Sequence, residues 1–263
     1  FDKIAYKVLG NNQSDTWQDY YYSSPIEALN QKKIDTNPTL LEQFKIARNK
    51  LERKFPSKLI VHKKMDVTDI KSIKDTEKEL SAKGISVNIL INNAAIDPKV
   101  SGDNVESGSF ESFKIDTLYQ EISVGLVGAV ICTKIFGNDM AKNKGGVILN
   151  ISSDLGLIAP NQEIYENSYK PVSYSIIKHG IIGLTKYTST YWAREGVRCN
   201  ALAPGGMKND QSDKFISKIE KLIPMNRMAN QDEYKATIVY MCSDASSYMN
   251  GAVVAIDGGR TSW

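Results

Sequence analysis

The sequence contains little of several residue types, and each scarcity excludes a class of site. Only two histidines, His62 and His179, occur among 263 residues. Neither a histidine-rich metal site nor a histidine-based catalytic triad is therefore expected, and we predict no metal. The three cysteines, Cys132, Cys199 and Cys242, are an odd number and widely spaced. They indicate reduced thiols in the core of a cytoplasmic protein and not a disulfide framework.

No charge of one sign dominates, and no long apolar run stands out. The chain carries 33 Lys+Arg against 30 Asp+Glu, mixed along its length, which excludes the basic footprint of a nucleic-acid partner. We find no stretch approaching the roughly 18 apolar residues of a membrane span and no signal peptide, so we expect no membrane partner. The 41% of hydrophobic residues excludes intrinsic disorder and is enough for a well-packed core.

From about residue 58 the chain alternates short apolar runs with helical segments. Residues 87–91 (VNILI) and 145–151 (GGVILNI) are typical of strands buried on both faces. This alternation predicts an α/β fold, a Rossmann-like doubly wound parallel sheet in a single domain over residues 1–263. Further strands are expected at 58–64, 197–202 and 252–256, and helices at 68–83, 110–141, 174–194 and 231–243.

Residues 1–58 fit this pattern less well. Residues 38–55 predict a helix, with apolar side chains at helical spacing and Pro38 near the start. Residues 1–9 are a weak candidate for a strand. The segment contains a single glycine, Gly10. We therefore expect an atypical N-terminal unit, in which the first βαβ unit has been degraded or altered.

Tyr174 and Lys178 are four residues apart on a predicted helix, so both side chains lie on one face. An ammonium group beside a phenol favours the phenolate and lowers its pKa, as general acid–base catalysis requires. With 13 tyrosines and many lysines in the chain, such a pair also arises by chance on an ordinary amphipathic helix. The pair by itself therefore decides nothing.

Small and polar residues follow four of the predicted strands in order along the chain. In open α/β sheets ligands bind in the crevice beyond the carboxyl ends of the strands. Tight turns explain any one of these motifs, but they explain the ordered set poorly. The motifs are Asp66-Val67, Asn92-Asn93-Ala94-Ala95, Asn150-Ile151-Ser152-Ser153 and Asn200-Ala201-Leu202-Ala203-Pro204-Gly205.

With the Tyr174/Lys178 pair, this ordered set resembles the short-chain dehydrogenase/reductase family over residues 58–259. The resemblance implies that Tyr174 transfers a proton and that Lys178 binds the nicotinamide ribose and tunes the tyrosine. It implies that Ser153, a better match than Ser152, forms a hydrogen bond with the substrate oxygen. The implied catalytic residues are Ser153, Tyr174 and Lys178.

The resemblance also implies a cofactor, NAD or NADP, and a set of residues that contact it. In the family the aspartate of the Asp66-Val67 pair holds the adenine, the turn after the next strand steadies the sheet beneath the cofactor, and Pro204-Gly205 lines the nicotinamide pocket. Asp257-Gly258-Gly259 matches the family's last strand. The implied cofactor-binding residues are Asp66, Val67, Asn93, Ala94, Ala95, Tyr174, Lys178, Pro204 and Gly205.

Four features depart from the family pattern. The glycine-rich loop that brings backbone amides to the pyrophosphate is absent from residues 1–58. Gly125 stands where the family often has an asparagine. Ser153 and Tyr174 are separated by 21 positions because of a polar and aromatic insertion at residues 161–170. Gly206-Met207 follows Pro204-Gly205 without the nearby threonine that many relatives have. Asp35, before the helix at 38–55, is a candidate for the acidic residue that selects NAD, and a solvated loop acid is the alternative.

These observations favour an NAD(P)-dependent oxidoreductase that transfers a hydride between nicotinamide and the carbonyl or alcohol of a polar, sugar-like small molecule. Two alternatives stay open: a catalytically silent relative that acts as a binding or interaction protein, and a sugar-nucleotide epimerase or dehydratase. The C-terminal tail and several short motifs further resemble members of bacterial surface-glycan and flagellin-modification pathways. By the same resemblance, the helices at 115–140 and 174–194 would form a homodimer or homotetramer.

Overall fold

A computed structural model describes residues 63, 65–96, 109–165, 168–209 and 211–263. The strands in this part of the chain are short and apolar, and each is preceded or followed by a helix. Asp69 caps the first helix, because its side chain accepts a hydrogen bond from the Lys71 amide at 2.8 Å. The strands are β1 (Ile89–Asn92), β2 (Gly146–Ile151), β3 (Val197–Pro204) and β4 (Val253–Ile256).

The helices lie on both faces of this sheet. One π-helical turn, Ser123–Val127, joins the second and third helices into a continuous stretch. The helices are α1 (Ile70–Ala82), α2 (Ile115–Ile122), α3 (Gly128–Lys142), α4 (Val172–Tyr191), α5 (Asp213–Glu220) and α6 (Lys235–Cys242).

The four strands pair in parallel in the order β1-β2-β3-β4. In this register Leu90 lies beside Ile148, and Ile148 beside Cys199. All four carboxyl ends therefore reach the same edge of the sheet, where the sequence motifs were expected to meet.

Alternate residues of each strand enter two separate cores. On one face Ile148 packs with Leu90 and with Phe136 of α3. On the other face Leu149 packs with Leu202 and with Met241 of α6. A parallel sheet covered on both faces has no polar side, which explains the continuous apolar runs in the sequence. The predicted α/β, Rossmann-like parallel fold is confirmed.

The predicted elements after residue 65 are also observed, with bounds that differ by a few residues. Helix α5 was not predicted, although Ser212 caps it by accepting a hydrogen bond from the Phe215 amide. It has only eight residues, and its apolar side chains are too few to give a clear helical period. The strands expected at 1–9 and, apart from Lys63, at 58–64, the helix at 38–55 and Asp35 lie outside the described residues.

One stretch contradicts the expectation that no segment could span a membrane. The helical residues Ile115–Lys142 (28 residues) are long and apolar enough to do so by length and composition. Packing accounts for part of this apolar character, since Cys132, Phe136 and Met140 are buried against α1 and the sheet. A helix that covers a parallel sheet needs such a face whether or not a membrane is present.

All three cysteines are buried and form no disulfide among the described residues, in agreement with the predicted reduced thiols. Burial raises the pKa of Cys199 to about 12, against weaker opposing hydrogen bonds from Thr185, Asn150 and Thr188. Burial likewise raises the pKa of Cys242 to about 12. These two thiols therefore stay protonated at neutral pH and are inert core residues.

Candidate active site

Helix α4 is fastened to the carboxyl end of β2 by two hydrogen bonds that involve Lys178. The Lys178 ammonium donates to the carbonyl oxygen of Ile151 at 3.0 Å, and the Ser152 hydroxyl donates to the backbone carbonyl of Lys178 at 2.8 Å. Lys178 is 8% exposed and Ser152 is 2% exposed. The predicted lysine and the serine pair are thus brought together, and the Ser152 hydroxyl is used to hold α4 against β2.

Tyr174 lies one turn before Lys178 on α4 and is half-buried. The Lys178 nitrogen is 5.6 Å from the centroid of the Tyr174 ring. A second cation is closer, because the nitrogen of Lys170 lies 3.8 Å from the same centroid. Two ammonium groups therefore make cation–π contacts with the same tyrosine ring.

Ser153 lies at the start of a short 3-10 turn, Asp154–Gly156, that follows β2. Its hydroxyl donates to the Asp154 carboxylate at 2.7 Å and accepts from the Leu155 amide at 3.2 Å. Gly156 is required at the end of this turn: a Cβ there would lie 2.4 Å from the Ser152 Oγ and 2.8 Å from the Lys178 carbonyl oxygen. The turn can therefore approach α4 closely, which places Ser153 beside it.

The ends of β1 and β2 are joined by buried amides. Asn92 donates to the side-chain oxygen of Asn150 at 2.7 Å, and Asn150 donates to the Thr185 hydroxyl of α4 at 2.9 Å. This network fixes the two strand ends against α4. Three residues that directly follow Asn92 are at least partly exposed and small or polar: Asn93, Ala94 and Ala95.

Asp66 and Val67 are adjacent, but Asp66 is exposed and Val67 is buried. The exposed Asp66 carboxylate accepts from the Thr68 amide at 2.8 Å and from its hydroxyl at 2.7 Å, an Asx turn that leads into α1. Val67 is buried and contacts Gly128, where a Cβ would lie only 2.8 Å from the valine Cγ2. The valine thus anchors the loop while the acid faces solvent.

Pro204 and Gly205 end β3 beside a small cavity of about 80 Å³ that Gly205, Tyr234 and Asp257 help to line. The Tyr234 hydroxyl donates to the Gly205 carbonyl oxygen at 2.9 Å. Burial, and then the charge of Asp154 and other carboxylates, raises the pKa of Tyr234 to about 12. Tyr234 therefore remains a neutral donor and holds the turn after β3 in place.

The insertion at 161–170 packs over this edge of the sheet. The Gln162 side chain bonds to the backbone of Lys170 in both directions, at 2.8 and 3.2 Å. Ile164 is buried against Ile219 of α5 and neighbouring apolar residues. This packing holds residues 161–165 and 168–170 near α5 and the start of α4, where Lys170 contacts the Tyr174 ring.

The sequence analysis missed Asp154, Lys170, Tyr234 and Arg260. Asp154 offered a faint signal, since it is a charged residue directly before an apolar stretch, whereas Arg260, between glycines and hydroxyl residues, offered none. Asp154 and Arg260 are separated by 106 positions, and no local sequence pattern connects them. Among the residues that the structure describes, no group of three or more histidine, cysteine or acidic side chains could hold a metal ion.

Gly125 lies in the π-helical turn between α2 and α3 and faces α4. A Cβ at this position would lie 2.9 Å from Cγ2 of Ile177. Ile177 is 4% exposed and occupies the space that an asparagine side chain would need. An apolar contact between Gly125 and Ile177 therefore takes the place of the asparagine side chain that the family often has here.

We predict that Gly125→Asn destabilises the protein by about 1–3 kcal/mol, because Ile177 and the backbone must move to admit the side chain. The free energy of unfolding in urea measures the loss. Gly125→Asn combined with Ile177→Ala should be less destabilised than the sum of the two single variants, since the smaller residue makes room. Additive losses would show that the two positions do not compete for space.

A parallel sheet with helices on both faces, and a tyrosine–lysine pair tied to a serine at a strand end, define a class: nucleotide-binding α/β dehydrogenases. A family model described as enoyl-(acyl carrier protein) reductase matches residues 40–261. The chain is 31% identical over 205 residues to the 2-dehydro-3-deoxy-D-gluconate 5-dehydrogenase of Bacillus subtilis (strain 168), covering 74% of this chain and 72% of that protein.

Two solved structures are similar as well. A gluconate 5-dehydrogenase from Burkholderia cenocepacia J2315, in complex with NADP and tartrate, has a TM-score of 0.67 and 25% identity, covering 76% of this chain and 74% of that one. A short-chain dehydrogenase from Leptospira borgpetersenii with bound NAD⁺ has a TM-score of 0.68 and 30% identity, covering 74% and 73%. The chain belongs to the short-chain dehydrogenase/reductase family and is an oxidoreductase.

Proposed function

We propose that this protein uses NAD or NADP to oxidise an alcohol, or reduce a carbonyl, of a sugar-like molecule, with Tyr174, Lys178 and Ser153 as its catalytic residues. The observation that carries this proposal is the attachment of α4 to β2, in which Lys178 bonds to Ile151 and Ser152 bonds to Lys178. It sets a phenol, an ammonium group and a serine hydroxyl around the same strand end, where this fold binds ligands.

The described residues at this edge fit the nicotinamide and adenine parts of a dinucleotide, whereas residues 1–58 lack the glycine-rich loop that would hold the pyrophosphate. The positions after β1 and β3 carry alanine and glycine, which leave the backbone approachable, and Lys178 offers a donor for ribose hydroxyls. In the proposed complex Asp66 and Val67 contact the adenine, Asn93, Ala94 and Ala95 support the cofactor, and Pro204 and Gly205 line the nicotinamide pocket. The cofactor, when bound, supplies the hydride acceptor or donor.

The chain's own groups handle the proton and the developing charge. Tyr174 accepts the substrate hydroxyl proton on its Oη during oxidation and returns it during reduction. Lys178, held in place by Ile151, stabilises the phenolate form of Tyr174. Ser153 forms a hydrogen bond with the reacting oxygen and fixes its position.

We propose a sugar acid as the preferred substrate. Lys170 places a second ammonium group 3.8 Å from the Tyr174 ring centroid, and a carboxylate on the substrate would complement this positive charge. The similar proteins from Bacillus subtilis and Burkholderia cenocepacia are named for sugar acids, which supports the same class. The resemblance to surface-glycan pathways stays a prediction.

A matched pair of compounds tests this proposal. D-gluconate and D-glucitol share a six-carbon polyol chain, but only gluconate has a carboxylate, and reduction of NAD⁺ or NADP⁺ follows each reaction. We expect a higher kcat/KM for gluconate, and Lys170→Met should raise the KM for gluconate more than the KM for glucitol. Equal effects on both compounds would contradict the sugar-acid assignment.

Cofactor binding distinguishes the proposed enzyme from the rival hypothesis, a catalytically silent relative. Titration with NADH or NADPH should quench tryptophan fluorescence in a saturable manner if the protein is an enzyme of this kind. No binding at millimolar cofactor would favour the silent relative. We further propose a cytoplasmic location, which three buried cysteines without a disulfide support.

We also propose a homodimer or homotetramer formed through α2, α3 and α4. These helices expose Tyr119, Val130, Tyr187 and Tyr191, and the rings of the last two stack at a centroid distance of 5.6 Å. Large exposed apolar side chains on neighbouring helices are typical of an interface. Tyr187→Asp should reduce the mass measured by light scattering, whereas Tyr240→Asp, on α6 at the other face of the sheet, should not.

A further inference from the structure

Asp154 is a buried carboxylate beside the proposed catalytic serine. It is 3% exposed, and both of its oxygens are engaged. One oxygen accepts from the Ser153 hydroxyl at 2.7 Å and from the Leu155 amide at 2.8 Å. The other accepts from the Arg260 guanidinium at 2.8 Å.

Arg260 is held as firmly as its partner. It is 5% exposed and begins the final 3-10 turn, Arg260–Ser262. The Asp257 carboxylate caps this turn by accepting from the Gly259 and Thr261 amides, both at 2.9 Å. Gly258 and Gly259 have φ values of +67° and +89°, which glycine adopts without strain. The C-terminal segment therefore delivers the arginine to Asp154 in one orientation.

Stability alone is a poor explanation for this ion pair. Removing two charges from water is costly, and buried pairs can often be replaced by apolar residues without loss of stability. The position of the pair is more informative. The carboxylate that Arg260 neutralises is the same group that binds the hydroxyl of Ser153.

The hydrogen bonds of Ser153 restrict what its hydroxyl can do. A carboxylate paired with arginine only accepts, so the serine proton points at Asp154. The serine oxygen accepts from the Leu155 amide, so Oγ keeps its position when a bound substrate draws the hydroxyl proton from Asp154 to the reacting oxygen. The side chain is thereby held in one rotamer before any substrate binds, which reduces the entropy lost when it does.

We propose that Asp154, anchored by Arg260, is a positioning residue that sets the orientation of Ser153 for the reaction. This inference rests on the proposed function, because it requires Ser153 to act on the substrate. It adds the last residues of the chain to the active-site machinery, although they do not contact the reacting atoms.

A double-mutant cycle tests the proposal with the better substrate of the gluconate and glucitol pair at saturating cofactor. Ser153→Ala should lower kcat about 100-fold, and Asp154→Asn about tenfold with cofactor affinity unchanged. The double variant should be no slower than Ser153→Ala within about twofold, because Asp154 acts through the serine. Losses that multiply would overturn the proposal, as would a full kcat for Asp154→Asn.

The cycle also separates this inference from the proposed function. If Ser153→Ala retains the full kcat, the catalytic role of Ser153 is wrong. If Ser153→Ala is slow but the effects multiply, only the positioning role is wrong. The double variant Asp154→Asn/Arg260→Met removes both charges of the ion pair. It replaces Asp154→Asn in the cycle if that single variant fails to fold. Arg198→Gln is the control, since Arg198 bonds to the carbonyls of Met249 and Ser243 at the opposite end of β3 and should not alter kcat.

A second readout needs no substrate. In a Ser153→Cys variant, a neighbouring carboxylate should raise the pKa of the new thiol, and Asp154→Asn should lower that pKa by about 1. Thiolate absorbance during a pH titration measures it against the unmodified chain, whose own cysteines are buried. If the pKa of the thiol introduced at position 153 is the same with aspartate and with asparagine at position 154, the two side chains are not in contact and the inference is wrong.

Discussion

Replacing Tyr174 by phenylalanine is expected to lower turnover by about 10²- to 10⁴-fold. The substitution removes only the hydroxyl that exchanges a proton with the substrate, so the ring packing and the contact with Lys170 are retained. Tyr174 is half-buried, and phenylalanine keeps the ring that packs there, so the fold should be unaffected. Steady-state kinetics, with the thermal midpoint measured in parallel, check the result.

Helix α4 supplies matched controls for this experiment. Tyr187 is on the same helix but 65% exposed, so Tyr187→Phe loses an equivalent hydroxyl without touching the strand ends and should keep full turnover. Lys178→Met should be nearly as damaging as Tyr174→Phe, because it removes the charge that stabilises the phenolate. A Tyr174→Phe protein whose turnover is within threefold of the parent would contradict the assignment of the general acid–base.

Arg260→Met is expected to destabilise the protein by about 3–5 kcal/mol, since it leaves the Asp154 carboxylate buried without its counter-charge. The loss is large for a single side chain near a chain terminus, where substitutions are usually tolerated. It follows from the burial of both partners, which have side-chain exposures of 5% and 4%. Urea unfolding followed by circular dichroism measures the change.

The companion variant Asp154→Asn/Arg260→Met should recover most of that stability. The asparagine oxygen can still accept from Ser153 and Leu155, and no unpaired charge remains. Lys83→Met, which removes an exposed partner of Glu79, is the matched control and should cost less than about 1 kcal/mol. If Arg260→Met is no more destabilising than Lys83→Met, Arg260 is not needed to neutralise the buried Asp154 carboxylate.

Much of the α/β framework could be predicted because it depends on local patterns. Residues 145–151 are apolar on both sides of the strand, and this continuous run is enough to predict burial between two layers of helices. The spacing of Tyr174 and Lys178 likewise fixes their common face on α4 without knowledge of the rest of the chain. Helix α5 escaped prediction because eight residues give little periodicity.

The surroundings of the site could not be predicted, because they depend on residues far apart in the chain. The insertion at 161–170 was identified as a departure, yet only its packing against α5 shows that it carries Lys170 to Tyr174. The effect of Gly125 was likewise hidden, since the space opposite a glycine depends on which residue of another helix fills it. Here that residue is Ile177.

The sequence by itself determined the order of strands and helices, the helical turn that separates the phenol from the ammonium group, and the polar residues at the strand ends. These follow from backbone periodicity, which extends over a few residues. Only the tertiary structure decided that the serine hydroxyl is held by Asp154 and that Asp154 is neutralised by an arginine 106 positions later. The energy of a buried charge depends on what surrounds it in space, and chain folding alone brings those groups together.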